Sequence, residues 1–356
     1  MDFLDSLGWS PFFEKEWRKI EEHGTLPARV IEEQKGHYRV STEKGDLWGE
    51  LAGKWHQITQ EGGNLPAVGD WVKIRPRYSE GRATVVSVLP RQSKFSRKVP
   101  GEVMQEQVVA CNIDFAFLVT SLNEELNLRR IERYLTLIWD SGATPVVILT
   151  KSDLCSETES QLDAVSSVCN GIQVEAVSSI SGEGLEIFET ILTQGKTGVL
   201  LGSSGVGKST LVNWLVGQAL QATGEIREED GKGRHTTTAR RLIKLPQGGL
   251  LIDTPGMREL QIWEGEEGLL NAFEDIAELT TQCRFSDCQH KTEPSCSILE
   301  ALGNGTLSKE RYESYDKLLK ETQFHARKAD KAAQSAEKNK NKKISSAMYR
   351  HLKSKR

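Results

Sequence analysis

The sequence predicts an α/β protein in three parts: a small β-barrel, a mostly parallel doubly wound sheet, and a short helical region with a basic tail. Three observations carry this prediction. Five short β-prone runs crowd between Ala28 and Val88. From Cys111 onward, apolar strands alternate with helices around one glycine-rich loop. Three cysteines and a histidine then gather between 283 and 296.

Length and composition narrow the classes. The chain has 356 residues, enough for two or three domains. With 37% hydrophobic residues it can build cores, and 27% charged residues do not make a disordered chain. No window reaches the ~18 consecutive apolar residues of a membrane span. The start, MDFLDSLGWSPFFEKEW, lacks the basic and apolar regions of a signal peptide. Six cysteines are too sparse for a disulfide scaffold. A cytoplasmic location without membrane association is therefore expected. The net charge of −4 hides an asymmetry: Lys320 to Arg356 holds 12 Lys+Arg against 3 Asp+Glu, which leaves −13 on the rest. Such a tail fits a polyanionic partner, or a plainly solvated helix, and charge alone weighs the two evenly.

Residues 1–24 read as a short helical extension without an evident role. Residues 25–100 carry the runs ARVIEE, HYRVST, DLWGEL, DWVKIR and ATVVSVL, separated by turn residues, as in a five-stranded oligonucleotide-binding-like (OB-like) barrel. Between Thr25 and Pro100 there are 13 basic and 8 acidic residues. Lys73, Arg75, Arg77, Arg82, Arg91, Lys94, Arg97 and Lys98 interleave with Trp48, Trp55, Trp71 and Tyr78, a pattern able to clamp and stack nucleic acid. Most of the tryptophans are expected in the barrel core instead.

Residues 101–262 alternate strands and helices: FAFLVTSL, then LRRIERYLTLIWDSG with helical spacing ending at Gly142, then PVVILTKSDL and IQVEAVSSISGEGL. TGVLLGSSGVGKSTLVNWLVG reads as strand, loop and helix, and RRLIKLPQGGLLIDTPG as two strands around a Gly-Gly turn. Residues 263–328 hold the apolar helix pattern GLLNAFEDIAELT, the cysteine cluster and a helix from Leu307 to about Arg327. Residues 329–356 form a low-complexity basic tail.

Gly202, Ser203, Ser204, Gly205, Val206, Gly207, Lys208 and Ser209 satisfy G-x-x-x-x-G-K-[ST] between an apolar strand and a helix, with Thr210 following. Glycines let backbone N–H groups wrap phosphates, Lys208 reaches the β- and γ-phosphates, and Ser209 ligates Mg²⁺. Asp253-Thr254-Pro255-Gly256 follows a strand. Asp253 can hold the metal's water shell, and Gly256 can offer an N–H to the γ-phosphate. Thr150, Lys151, Ser152 and Asp153 form the base-reading candidate. A carboxylate accepts both guanine N–H donors, which adenine lacks, and a lysine stem covers the base. Ser178 and Ser179 end the next strand and can approach the guanine oxygen. As an isolated tetrapeptide DTPG would read as an ordinary turn, and for TKSD a helix cap at Ser152 or Asp153 is a serious rival; DTPG does not stand alone.

The set GSSGVGKS, DTPG, TKSD and SS resembles the translation-factor-related GTPases, but the guanine-reading loops precede the phosphate loop. That order resembles a circularly permuted P-loop GTPase. Together with the basic barrel, the segment GRHTTT from Gly233 to Thr238 and the cysteine cluster, the chain resembles the ribosome-small-subunit-dependent GTPase A family over roughly residues 25–325. The resemblance implies GTP hydrolysis stimulated by the small ribosomal subunit, a role in its late maturation, contact with ribosomal RNA, Mg²⁺ with GTP or GDP, and a monomer. Thr150 stands where many GTPases have an asparagine that braces the phosphate loop, so nucleotide is expected to be held less firmly.

Cys283, Cys288, His290 and Cys296 lie within 14 residues and fit a closed tetrahedral set for one structural Zn²⁺, which the family carries on matching residues. Cys111, Cys155 and Cys169 read as plain thiols. After DTPG the chain has Met257, which cannot position a water. His235 is the nearest polar candidate, and Thr236, Thr237 or Thr238, with Thr237 foremost, can meet Mg²⁺. An ATP-dependent enzyme sharing only the phosphate loop would not need TKSD. A nonenzymatic RNA scaffold would not need an intact Lys208, Ser209 and Asp253.

Overall fold

The computed structural model of the protein describes residues 3–34, 36–53, 55, 65–99, 105–122, 126–203, 205–223, 240–253 and 266–323. Ser204, His235, Thr236, Thr237, Thr238, Gly256, Met257 and the tail beyond 323 lie outside them.

The five predicted runs become strands β1 (Leu26–Gln34), β2 (His37–Thr42), β3 (Gly45–Leu51), β4 (Trp71–Arg77) and β5 (Arg82–Val88). β1 pairs with β2 and β4, β2 with β3, β4 with β5, and β3 closes onto β5 in parallel, which makes a five-stranded barrel. Val30, Val40, Val72, Ile74 and Val85 fill it. Trp55 joins them, its indole N–H donating to the Val85 carbonyl at 3.1 Å. A hairpin of β6 (Lys94–Val99) and β7 (Gln105–Cys111) leads out of the barrel.

The second unit is built on β8 (Phe115–Ser121), β9 (Thr144–Thr150), β10 (Val174–Val177), β11 (Thr197–Leu201), β12 (Arg240–Lys244) and β13 (Leu250–Asp253). They run in the order β10-β9-β8-β11-β13-β12, parallel except for β12. Continuous apolar runs suit strands covered on both faces. The parallel register places the loops after β9, β10, β11 and β13 along one edge, where ligands bind in such sheets. β12 also pairs with β1, Glu32 opposite Arg241 and Glu33 opposite Arg240, so sheet and barrel share one hydrogen-bonded ladder.

The helices are α1 (Phe3–Ser6), α2 (Pro11–Arg18), α3 (Leu128–Ser141), α4 (Thr158–Ser166), α5 (Glu186–Ile191), α6 (Lys208–Thr223), α7 (Glu266–Ala272), α8 (Glu274–Thr281), α9 (Ser297–Asn304) and α10 over 309–323. The expected single helix GLLNAFEDIAELT is two, broken at the buried Phe273. α7 lies directly on α3: a Cβ at Gly268 would sit 2.4 Å from the Thr136 carbonyl oxygen. The N-terminal extension has a structural role the sequence did not announce. Leu7, Phe13 and Trp17 pack with Trp71 and Leu89 of the barrel region and Leu250 of β13. Beneath them, the buried Arg29 of β1 donates to the carbonyls of Leu7, Gly69 and Asn112 and to Thr197 Oγ1. One guanidinium thus ties the extension, the barrel and β11 together. Burial pulls its pKa down to about 10, against the pull of Asp114 and Asp70, so it remains charged at neutral pH.

Candidate nucleotide and metal sites

β11 is buried along its whole length and ends where the glycine-rich loop begins. Gly202 has φ 135°, and a Cβ there would lie 2.1 Å from the Val119 carbonyl oxygen, so the loop can leave the sheet only through glycine. Gly205 and Gly207 also take positive φ, 80° and 97°. The chain enters α6 at Lys208, and the N–H groups of its first turn, around Ser209 and Thr210, have no earlier helical partners. Lys208 Nζ donates to the Gly202 carbonyl at 2.7 Å and to that of Ser203. The result is a concave backbone with an ammonium folded across it, suited to phosphate.

The base-reading candidates sit beside it. Lys151 adopts φ 63°, a left-handed conformation unusual for a side chain of that size, and turns the chain from β9 into the short turn Ser152–Leu154. Ser178, at the end of β10, donates from Oγ to Asp153 Oδ1 at 2.6 Å and accepts from the Ile180 and Ser181 N–H groups at 3.2 Å each. Ser179 lies in the same turn. The two loops therefore fix one carboxylate between them. Thr150 Oγ1 donates to the Val206 carbonyl of the glycine-rich loop at 2.6 Å, and Gly207 lies against its side chain. The bond from residue 150 to the glycine-rich loop is thus made by a hydroxyl. Asp253 ends β13, exposed on the same edge.

Cys283, Cys288, His290 and Cys296 bring their ligand atoms within 4.8 Å of one another. Cys283 Sγ lies 3.6 Å from His290 Nδ1 and 3.9 Å from Cys296 Sγ, and His290 Nδ1 lies 3.4 Å from Cys296 Sγ. Tetrahedral zinc, with Zn–S ~2.3 Å and Zn–N ~2.0–2.1 Å, implies edges of about 3.8 Å between sulfurs and about 3.6 Å from sulfur to nitrogen. The donors fit. Burial raises the Cys283 thiol, but N–H groups of Ser297 and Ile298, at the start of α9, help hold it below the ordinary thiol range. Cys288 is pushed up to about 11 by burial and its thiol neighbours. Thiols this close resist joint ionisation unless a cation stands among them. The intervening loop is held by Glu293, whose carboxylate accepts from the N–H groups of Gln289, Lys291 and Thr292. Those donors keep its pKa down at about 2.

On the barrel the aromatic residues divide. Trp55 and Trp71 are buried, whereas Trp48 is 51% and Tyr78 38% exposed. Trp48 is flanked in register by Arg39 and Arg82, and Lys44 lies over the Tyr78 ring at 5.4 Å. Much of the basic cluster is spent on internal pairs, Lys73 and Arg75 with Glu22, Arg77 and Arg82 with Glu50, and Arg91 with Asp70.

The family model described as RsgA GTPase matches residues 88–263. The small ribosomal subunit biogenesis GTPase RsgA 1 of Listeria innocua serovar 6a is 42% identical over 351 residues, 98% of each chain. The chain belongs to the RsgA GTPase family. Two solved structures agree with that membership. YjeQ from Thermotoga maritima aligns with TM-score 0.64 and 27% identity over 84% of this chain and 98% of its own. YloQ, described as a circularly permuted GTPase, aligns with TM-score 0.60 and 26% identity over 85% and 97%. An ABC transporter model also matches residues 185–348, a stretch that holds the phosphate loop but neither TKSD nor Ser178-Ser179. As an RsgA-family member the chain is a GTP-hydrolysing, circularly permuted P-loop GTPase with an N-terminal barrel and a C-terminal Cys₃His group able to bind zinc. No helix among the described residues is long and apolar enough to cross a membrane.

Two parts of this RsgA-family site escaped the sequence reading. Glu132 is fully buried where α3 meets α8 and α10, accepting from Arg311 Nη1 at 2.9 Å and Ser314 Oγ at 2.7 Å, while Arg311 also pairs with Asp275 at 2.6 Å. Its signal was available: a glutamate four residues after Leu128 and three before Leu135 lies on the helix's apolar stripe. Glu293 carried no pattern beyond preceding Pro294.

Proposed function

We propose that this GTPase acts on the small ribosomal subunit in its late maturation, that docking on the subunit stimulates hydrolysis of GTP to GDP and phosphate, and that it works as a cytoplasmic monomer. The observation that carries this is the joining of phosphate and guanine loops through Thr150 and Val206, in a chain near 40% identical to relatives called small ribosomal subunit biogenesis GTPases. Asp153, oriented by Ser178, reads guanine; Lys151 covers the base; Ser179 approaches its oxygen. Residues 202–210 hold the phosphates, with Lys208 on the β- and γ-oxygens. Ser209, Thr237 and Asp253 would hold Mg²⁺, which would neutralise charge on the β- and γ-phosphates. Gly256 would offer its N–H to the γ-phosphate, and His235 would orient the attacking water. The cysteine cluster would hold one zinc in a structural role.

The working parts are residues 25–100 as barrel, 101–262 as GTPase, 263–328 as zinc domain and 329–356 as tail. The exposed Trp48 ring on the barrel supports RNA contact through base stacking. The tail from Lys320 contributes phosphate neutralisation. Co-sedimentation with purified small subunits tests this. The full chain should pellet more with a non-hydrolysable GTP analogue than with GDP. Truncation near Gln334 should weaken binding and flatten its salt dependence. Equal binding by the truncated chain at every salt concentration would remove the tail from the account.

A further inference from the structure

The first turns of α3 carry three arginines, each with a different partner. Arg129 pairs with Glu132, Arg133 pairs with Glu321 at 2.8 Å, and Arg130 Nη1 donates to Ser203 Oγ of the phosphate loop at 3.3 Å. The helix holds Arg130 in place from both ends of this turn. The Asn127 side chain caps it, accepting from the Arg130 N–H at 3.1 Å, and Glu132 is locked among Arg129, Arg311 and Ser314. Residues two apart stand about 200° around a helix, so the face opposite the buried carboxylate is the one turned to the loop. The Arg130 side chain is exposed and long enough to change partner.

We infer that Arg130 is a cation supplied in cis to the triphosphate: with GTP in the loop, its guanidinium leaves the Ser203 hydroxyl for the terminal phosphate. A neutral hydroxyl is a weak partner for a guanidinium, whereas phosphate oxygens offer a charge-assisted one. GDP lacks the terminal group, so the contact discriminates between the two nucleotides and supports the charge that develops in hydrolysis. This rests on residues 202–209 being the phosphate loop.

The test uses the full chain with Arg130→Ala, Arg130→Lys and Lys208→Ala. It measures affinity for GDP and for a non-hydrolysable GTP analogue, and single-turnover hydrolysis without ribosomes. Arg130→Ala should lower the analogue-to-GDP affinity ratio about ten-fold and slow hydrolysis at least as much, with Arg130→Lys recovering part of both. An unchanged melting temperature will show that the exposed substitution leaves the fold intact. If Lys208→Ala abolishes binding while Arg130→Ala leaves ratio and rate alone, the inference about Arg130 is wrong. If Lys208→Ala itself changes nothing, the phosphate-loop assignment falls first, and the inference with it.

Discussion

The Thr150 hydroxyl donates to the Val206 carbonyl oxygen at 2.6 Å, joining the end of β9 to the glycine-rich loop through one hydrogen bond. The Thr120 carbonyl is also near, at 3.2 Å, but a hydroxyl has one proton, and the shorter contact claims it. An asparagine amide in this position has two. Removing the hydroxyl leaves the Val206 carbonyl short of a donor, at a cost of about 1–2 kcal/mol. Thr150→Val should weaken GTP and GDP alike by about ten-fold, and Thr150→Ser should not. Titration with a fluorescent nucleotide checks this, and unchanged affinity in the valine variant would show that the brace has no bearing on binding.

Asp153 should decide the base. Asp153→Asn replaces an acceptor-only group with one that offers N–H donors to the guanine donors, costing about 1–3 kcal/mol. GTP affinity should fall and preference should move toward the xanthine nucleotide. Retained preference for GTP would remove TKSD from the base site.

Metal analysis of the purified chain should find one zinc per protein, and Cys288→Ser should lower it. Because the site closes a short loop, metal loss should unfold the helices around it rather than stop hydrolysis chemistry directly. Glu293→Gln should speed zinc release to a chelator at neutral pH by loosening the loop N–H groups. The depressed carboxylate contributes fully above its ordinary pKa and loses that contribution only as pH falls toward about 2. Between about pH 5 and 8 the release profiles of parent and variant should therefore share one shape. A profile that changes shape in that range would assign Glu293 another role.

Glu132 is buried against Arg311, and removing its carboxylate leaves Arg311 with Asp275 alone and the Ser314 hydroxyl without its acceptor. Glu132→Ala should cost about 1–3 kcal/mol, read as a lowered denaturant midpoint. Glu132→Leu combined with Arg311→Met should cost much less than the two changes added together. Additive losses would show that the two charges do not depend on each other.

The barrel and most of the parallel sheet were legible because their signals are local. HYRVST alternates in period two, and Tyr38 and Val40 point inward while His37 and Arg39 point out. LRRIERYLTLIWDS ends at Gly142, which takes φ 84° as a helix-ending glycine does. The glycine-rich turn between β11 and α6 and the turn after β9 were legible for the same reason. What escaped is what depends on distant residues meeting. The pairing of Glu33 with Arg240 joins segments about two hundred residues apart and leaves no mark on either. Arg29 looks like one more basic barrel residue until Leu7, Asn112 and Thr197 surround it. The basic count overstated what the barrel offers a nucleic acid, because Glu22, Glu50 and Asp70 already hold five of the cations.

The measurement that bears most directly on the whole account is GTP hydrolysis by the full chain with and without purified small ribosomal subunits. Slow turnover alone and strong stimulation by the small subunit, lost in His235→Ala while that variant still binds GTP and subunits, is the expected result. A rate that small subunits leave unchanged, in a chain that binds GTP normally, would contradict the account.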